Sequence, residues 1–220
     1  MIKAVIFDVD GTLLNTEKIY MEGWRQGGSL LGYTVTEEAL LRTRAVNAQV
    51  AAQIFRECCG ADFPYDTVRV ERIRISEELI ASSEPETLRM PQAKEVVLRL
   101  KEKKLPLAVA SSTGYAHTEA HLRHAELWGL FDAVITGDML EKGRGKPNPD
   151  IFLKAAEHLG IAPEDCLVVG DTPADVLAGY AAGMKVILIP DQVPANEETT
   201  AKSWKVLDRI GQLEDAMEEC

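Results

Sequence analysis

The chain has 220 residues, and 35 acidic against 24 basic side chains leave a formal charge of −11. A hydrophobic share of 46% excludes a disordered chain, the negative balance disfavours nucleic acid as a partner, and no apolar run approaches the length of a membrane span. Asp8 and Asp10 interrupt the first apolar run before it resembles a signal peptide, and the cysteines at 58, 59, 166 and 220 have neither zinc-type spacing nor a secreted disulfide framework. A soluble, monomeric, cytoplasmic protein with reduced thiols is expected.

Ala4-Val5-Ile6-Phe7 is a short continuous apolar run, the pattern of a strand covered on both faces. From about residue 15 to about residue 88 the pattern is helical. Thr36 followed by Glu37 and Glu38 reads as an N-cap with an acidic first turn, and Val50 to Phe55 and Val68 to Ile80 read as helices. Met90-Pro91 opens a further helix. Pro106 to Ala110 and Ala133 to Thr136 are the next two apolar runs. Asn148-Pro149 reads as an N-cap with proline at the first helical position, and Thr172-Pro173 repeats that pattern after the run Cys166 to Val169. Val186 to Ile189 and a weak Lys205-Val206-Leu207 complete six strands, and the acidic tail Glu214 to Cys220 is expected to be solvated. Alternating strands and helices predict an α/β fold, a doubly wound parallel sheet built of right-handed βαβ units over residues 1–14 and 89–220. Residues 15–88 form a helical insert, expected above the carboxyl ends of the strands, where open α/β sheets bind ligands.

Polar groups gather at those ends. Asp8 and Asp10, two apart, face the same way on a strand. Two carboxylates about 4 Å apart repel by roughly 4 kcal/mol at an effective dielectric near 20, so a fold keeps such a pair only with a cation, a proton or another partner. Gly11 permits a turn behind them. Ser111-Ser112 ends the second run, Gly170-Asp171 ends the fourth, Asp175 follows four residues later, and Pro147 holds Lys146 extended in a loop. Each has a bland alternative: strand-end acids in solvent, loop serines, and a capping box for Thr172 with Asp175. Side by side at successive strand ends, they make a site for Mg²⁺ and phosphate, with hard oxygen ligands for the metal and donors for the anion.

Asp8-Val9-Asp10-Gly11-Thr12, Ser111, Lys146 and Gly170-Asp171 with Asp175 resemble, in order, the four motifs of the haloacid dehalogenase-like hydrolase superfamily. The resemblance covers nearly the whole chain, because the helical insert falls where that family carries a four-helix cap. It implies a Rossmann-like core with a helical-bundle cap domain, and Mg²⁺-dependent phosphoryl transfer through an aspartyl-phosphate. Carried over, Asp8 is the nucleophile, and Asp10 protonates the leaving oxygen and then deprotonates the attacking water. Mg²⁺ is held by Asp8, the Asp10 backbone carbonyl and Asp171, with Asp175 behind them, and Ser111 and Lys146 hold the phosphoryl oxygens.

Within the family, Asp10 argues against the dehalogenase branch, which lacks a second acid in this motif. Nothing but its place in the first insert helix supports Lys18 as a Schiff-base lysine. A β-phosphoglucomutase-like hexose-phosphate mutase is the serious alternative. Tyr20 stands where the mutases carry histidine, the row Leu41 to Asn47 lacks their glycine before arginine, and Gly170-Asp171-Thr172 replaces their Glu-Asp-Ser. Hydrolysis of a small phosphorylated metabolite, a sugar or polyol phosphate, is the expectation. A receiver-like signalling module is disfavoured by the insert and by the aspartate pair on the first strand. Ser112, Asn15, Thr16, Tyr20, Arg44 and Asn47 are expected to bind substrate, with Glu17 and Trp24 nearby; Trp24 reads equally as insert core, and Arg42 and Arg44 as solvated charges. His117, His121 and His124 share one helix face at a spacing that suits zinc, but read as a polar outer face. Cys58-Cys59 reads as buried packing.

Overall fold

The computed structural model describes residues 1–44 and 48–218. Contacts divide the chain into two compact units, Met1–Asn15 with Pro85–Cys220, and Thr16–Glu84.

The first unit is a six-stranded, wholly parallel sheet of β1 (Ala4–Phe7), β2 (Leu107–Ser111), β3 (Ala133–Thr136), β4 (Cys166–Gly170), β5 (Lys185–Leu188) and β6 (Lys205–Val206), in the order β3-β2-β1-β4-β5-β6. β1 is buried throughout and pairs with β2 through Val5–Leu107 and with β4 through Ile6–Val168. The chain leaves β1 in one direction towards β3 and returns to build β4 to β6 on the other side. The strand order therefore reverses beside β1, the switch point where such sheets open a crevice at their carboxyl edge.

Helices cover the sheet. In chain order the second unit holds α1 (Glu17–Leu30), α2 (Glu37–Arg42), α3 (Ala48–Cys59) and α4 (Tyr65–Ser82), and the first holds α5 (Pro85–Leu88), α6 (Ala93–Glu102), α7 (Tyr115–His124), α8 (Asp150–Leu159), α9 (Pro173–Ala181), α10 (Glu197–Lys202) and α11 (Leu213–Glu218). α8 lies on β2 and β3 and α9 on β4 and β5, burying Ile151, Phe152, Val176 and Ala178 against Ile6, Val168 and Val186. None of the described helices is long and apolar enough to cross a membrane.

Several local expectations hold. Thr36 caps α2 by accepting from Ala39 N, and Thr172 and Asp175 form a reciprocal capping box with Pro173 at the first position of α9. Others are corrected by tertiary contacts. Asn148 does not cap α8: its Nδ2 donates to the carbonyls of Gly143 and Gly145 at 3.1 and 2.9 Å, closing a loop, so α8 starts at Asp150. α6 starts at Ala93 rather than at Met90-Pro91, because Met90 N is committed to Leu13 O at 2.9 Å and Gln92 turns at φ +68°. Glu214 is not a solvated tail residue; it pairs with Arg99 and with Lys103 (3.1 Å), docking α11 on α6. His121 is buried while His117 is exposed, so the histidine face is not a uniform outer one. Cys58 and Cys59 are half-buried rather than buried, and Arg42 Nη1 donates to Cys58 Sγ at 3.3 Å.

The second unit has its own aromatic core. Phe55 stacks on Phe63 at 5.0 Å between ring centres and meets Trp24 at 4.4 Å and Tyr65 at 5.7 Å. Trp24 is thus core. Phe55 is fully buried, so Phe55→Ala should cost about 3–5 kcal/mol of the stability of this unit. Chemical denaturation followed by tryptophan fluorescence checks this; a loss under about 1 kcal/mol would mean that the aromatic cluster does not hold the unit together.

Candidate active site

The site starts where β1 ends. Asp8 N still donates to Val169 O at 2.8 Å, which extends the β1–β4 ladder by one bond and places the Asp8 side chain over the switch point. The backbone then turns tightly: Leu13 N and Leu14 N both donate to Val9 O, and Gly11 N to Leu14 O. Gly11 sits at φ +86°, and a Cβ there would overlap the Asp171 carboxylate, so only glycine lets the turn approach β4 this closely. Thr12 Oγ1 donates to Asp171 Oδ1 at 3.1 Å from the same turn.

Three carboxylates converge. Asp8, Asp171 and Asp175 are 7%, 3% and 1% exposed, and each offers an oxygen within 4.8 Å of those of the other two. Lys146 enters from the loop before α8. Its Nζ lies 2.5 Å from Asp8 Oδ1 and 2.7 Å from Asp175 Oδ1, and donates to Ala110 O at 2.8 Å. Asp175 does two jobs: Oδ2 accepts from Thr172 N and Oγ1 in the capping box, while Oδ1 faces Lys146. The capping-box reading of Asp175 holds for Oδ2, and Oδ1 pairs with Lys146 at the same strand ends.

Electrostatics set the character of the cluster. Burial, reinforced by Asp175 and Asp10, pushes the Asp8 carboxyl up to about 8, although Lys146 pulls it down. Burial alone would lower the Lys146 ammonium; Asp175 and Asp8 outweigh it and hold the lysine charged, above its ordinary range. Lys146 brings one positive charge to a group of three buried carboxylates, two of which it pairs with, so negative charge is in surplus among these four side chains. All the groups in excess are hard oxygen donors, a set that fits a divalent cation such as Mg²⁺.

Asp10 directs its carboxylate elsewhere. Oδ2 accepts from Thr113 Oγ1 at 2.9 Å, with Ser111 Oγ at 3.5 Å, and Ser111 is fully buried at the end of β2. The structure thus joins Asp8, Asp10, Ser111, Lys146, Asp171 and Asp175 around adjacent strand ends. Ser112 is exposed, unlike its neighbour Ser111. Asn15 is half-buried, with its N–H on Leu88 O. Within the second unit, Thr16 is fully buried at the start of α1, and Tyr20 and Arg44 line a cavity of about 210 Å³ with Glu17, Thr43 and Arg72. The Arg72 guanidinium lies over the Tyr20 ring at 4.0 Å, and Arg44 Nη2 is 3.4 Å from Met21 Sδ. Arg42 pairs with Glu38 and Glu57 on an exposed face, as a solvated charge would. Asn47 lies outside the described residues. Sequence reasoning gave no role to Thr12, Thr113 or Arg72. Thr12 was visible as the last residue of the first motif, and Thr113 as a hydroxyl two residues past Ser111; nothing in the sequence marks Arg72.

The family described as haloacid dehalogenase-like hydrolase matches residues 2–183. The chain belongs to that family. As a member it is an enzyme of the hydrolase class, and its parallel sheet with flanking helices is the family's α/β core. CbbY of Rhodobacter capsulatus is 30% identical over 99% of this chain and 98% of its own. (DL)-glycerol-3-phosphatase 2 of Arabidopsis thaliana is 36% identical over 86% of this chain and 80% of its own. A crystal structure of CbbY from Rhodobacter sphaeroides in complex with xylulose-1,5-bisphosphate superposes with a TM-score of 0.78 at 26% identity, covering 97% of this chain and 96% of that one.

Proposed function

We propose that this hydrolase is a Mg²⁺-dependent phosphatase that releases orthophosphate from a small phosphorylated metabolite of the sugar or polyol phosphate class, through an aspartyl-phosphate on Asp8. The observation that carries the reading is the arrangement of Asp8, buried between Lys146 and two further carboxylates, with a second acid, Asp10, held apart on hydroxyls. That separation divides the work. An Asp8 oxygen attacks phosphorus as the bond to the leaving oxygen breaks, and Asp10 gives that oxygen its proton. A water molecule then attacks the phosphorus of the aspartyl-phosphate, Asp10 takes its proton, and the P–O bond to Asp8 breaks. Ser111 and Lys146 hold the phosphoryl oxygens in line. Asp8, Asp171 and Asp175 with the Asp10 carbonyl would hold Mg²⁺, which supplies positive charge against the dianionic phosphoryl group. Two relatives support the substrate class: the Arabidopsis thaliana protein is a glycerol-3-phosphatase, and CbbY of Rhodobacter sphaeroides binds xylulose-1,5-bisphosphate in its crystal structure.

The test is a screen of sugar and polyol phosphates for Mg²⁺-dependent phosphate release. Silence towards every phosphate monoester rejects the reading, and conversion of glucose 1-phosphate to the 6-phosphate without free phosphate replaces it by the mutase alternative.

Asp8 also links metal to pH. Its folded value of about 8 stands above the ordinary carboxylate value, so between about pH 4 and pH 8 the native state holds a proton that the unfolded chain does not. The stability of the metal-free protein should therefore fall as pH rises through that window. Mg²⁺ needs the ionised carboxylate, so its stabilisation should be larger at pH 8 than at pH 5.5. Thermal unfolding with Mg²⁺ and with a chelator measures this, and equal Mg²⁺ increments at the two pH values would remove Asp8 from the metal set.

A further inference from the structure

The turn between β2 and α7, residues 111–114, is fastened from both sides. Thr113 Oγ1 donates to Asp10 Oδ2 at 2.9 Å, and Thr113 N donates to Ser111 Oγ at 3.1 Å, which fixes the two hydroxyls relative to each other. Thr118 Oγ1 donates back to Thr113 O at 3.3 Å. α7 follows, and its N-cap residue is Gly114, which has no side chain to receive the first helical N–H groups. The end of β3 supplies the missing acceptor. Both oxygens of Asp138 accept from Tyr115 N at 3.1 Å, and Thr136 Oγ1 donates to Asp138 Oδ1 at 2.5 Å. Thr136 is itself buried and paired with Ser111 in the sheet. Gly137 passes so near the turn that a Cβ there would meet Ser112 O at 2.7 Å.

We infer that Thr113 is a positioning residue for the general acid, fixing the Asp10 carboxylate through Oδ2 in the orientation from which it protonates the leaving group, and that Asp138 anchors the turn that carries Thr113. The inference rests on the phosphatase reading. A half-exposed aspartate with no fixed donor spreads over rotamers, and a misplacement of about 1 Å costs up to roughly 100-fold in rate. Asp138 touches neither the acid nor phosphorus; it supplies a negatively charged acceptor where α7 presents unpaired N–H groups.

The experiment compares kcat/KM, which reports the first transfer, for two probes with Mg²⁺: the best alkyl phosphate from the screen, whose leaving oxygen needs a proton, and 4-nitrophenyl phosphate, whose leaving group departs unaided. Thr113→Val should lower the alkyl ester's value about 10- to 100-fold and the nitrophenyl ester's no more than about threefold. Thr113→Ser should restore most of the loss. In an Asp10→Asn background Thr113→Val should add nothing, because the hydroxyl acts through that carboxylate. Asp138→Ala should reproduce the alkyl-selective loss in weaker form, about fivefold, and Asp138→Asn should largely recover it, since an amide oxygen still accepts from Tyr115 N. Equal losses on both esters, an increase in rate, no rescue by serine, or additive losses with Asp10→Asn would each overturn the inference while the phosphatase reading stood. A wild type silent towards every ester would overturn both.

Discussion

Asp8→Asn should abolish phosphate release, lowering kcat by about ten-thousand-fold or more, while leaving the metal-free protein at least as stable as the wild type. The two halves of this result have the same origin. The substitution keeps the shape of the side chain and removes the charge, so no oxygen remains that can form and later release an acyl phosphate. It also takes one ionisable carboxyl out of a buried group in which Lys146 pairs with Asp8 and Asp175 beside Asp171; Lys146 keeps Asp175 at 2.7 Å, and the burial and the neighbouring acids that push Asp8 up to about 8 no longer act on a charge there. The stabilisation by Mg²⁺ should shrink in parallel. Phosphate assays and thermal unfolding, each with and without Mg²⁺, check all three. Activity within tenfold of wild type would remove Asp8 from the nucleophile's role. A marked fall in stability without metal would mean that the Lys146–Asp8 pair, not the charge surplus, governs the site.

How much of this was legible in the sequence depends on how far apart the interacting residues lie. Continuous apolar runs show strands because burial on both faces leaves no room for polar alternation, and Ala4–Phe7 and Cys166–Gly170 are buried at every position. The Thr172–Asp175 cap was legible because both partners lie within one helical turn. Asn148 had the same local signature and failed: its Nδ2 donates to the carbonyls of Gly143 and Gly145, closing the loop that carries Lys146, and α8 starts two residues later, at Asp150. Thr113 was visible as a hydroxyl near Ser111, but its contact was not, because its partner, Asp10, is 103 residues away. Spacing placed His117 and His121 on one face of α7, but which part of that face is covered depends on the neighbours of the helix, and His121 is 2% exposed. Strand-end positions predicted that the acids meet; they did not predict that Asp10 would turn away from the other three towards the hydroxyls of the next strand.

That division of charge makes Lys146→Met the second large effect. The Lys146 side chain is 4% exposed, between the buried side chains of Asp8 and Asp175, and it also donates to Ala110 O. Methionine fills the space with no charge, leaving Asp8 and Asp175 without the ammonium that pairs with both. Removing one partner of a buried pair costs about 3–5 kcal/mol, which for a chain of this size is a fall in Tm of about 10 °C. The deficit should be greatest at high pH and without metal, because at lower pH Asp8 relieves the repulsion by taking a proton, and bound Mg²⁺ relieves it with charge. Catalysis has no such substitute. The ammonium group is a cation fixed 2.5 Å from Asp8 Oδ1, and losing a preorganised donor of that kind costs about a hundred- to a thousandfold in kcat. Arginine should not rescue it, because a planar fork does not fit a pocket shaped for a point charge between Asp8, Asp175 and the β2 backbone. Steady-state kinetics at saturating Mg²⁺ separate the two effects: stability should return towards wild type while kcat stays low. Recovery of both together would mean that Lys146 serves only to balance charge.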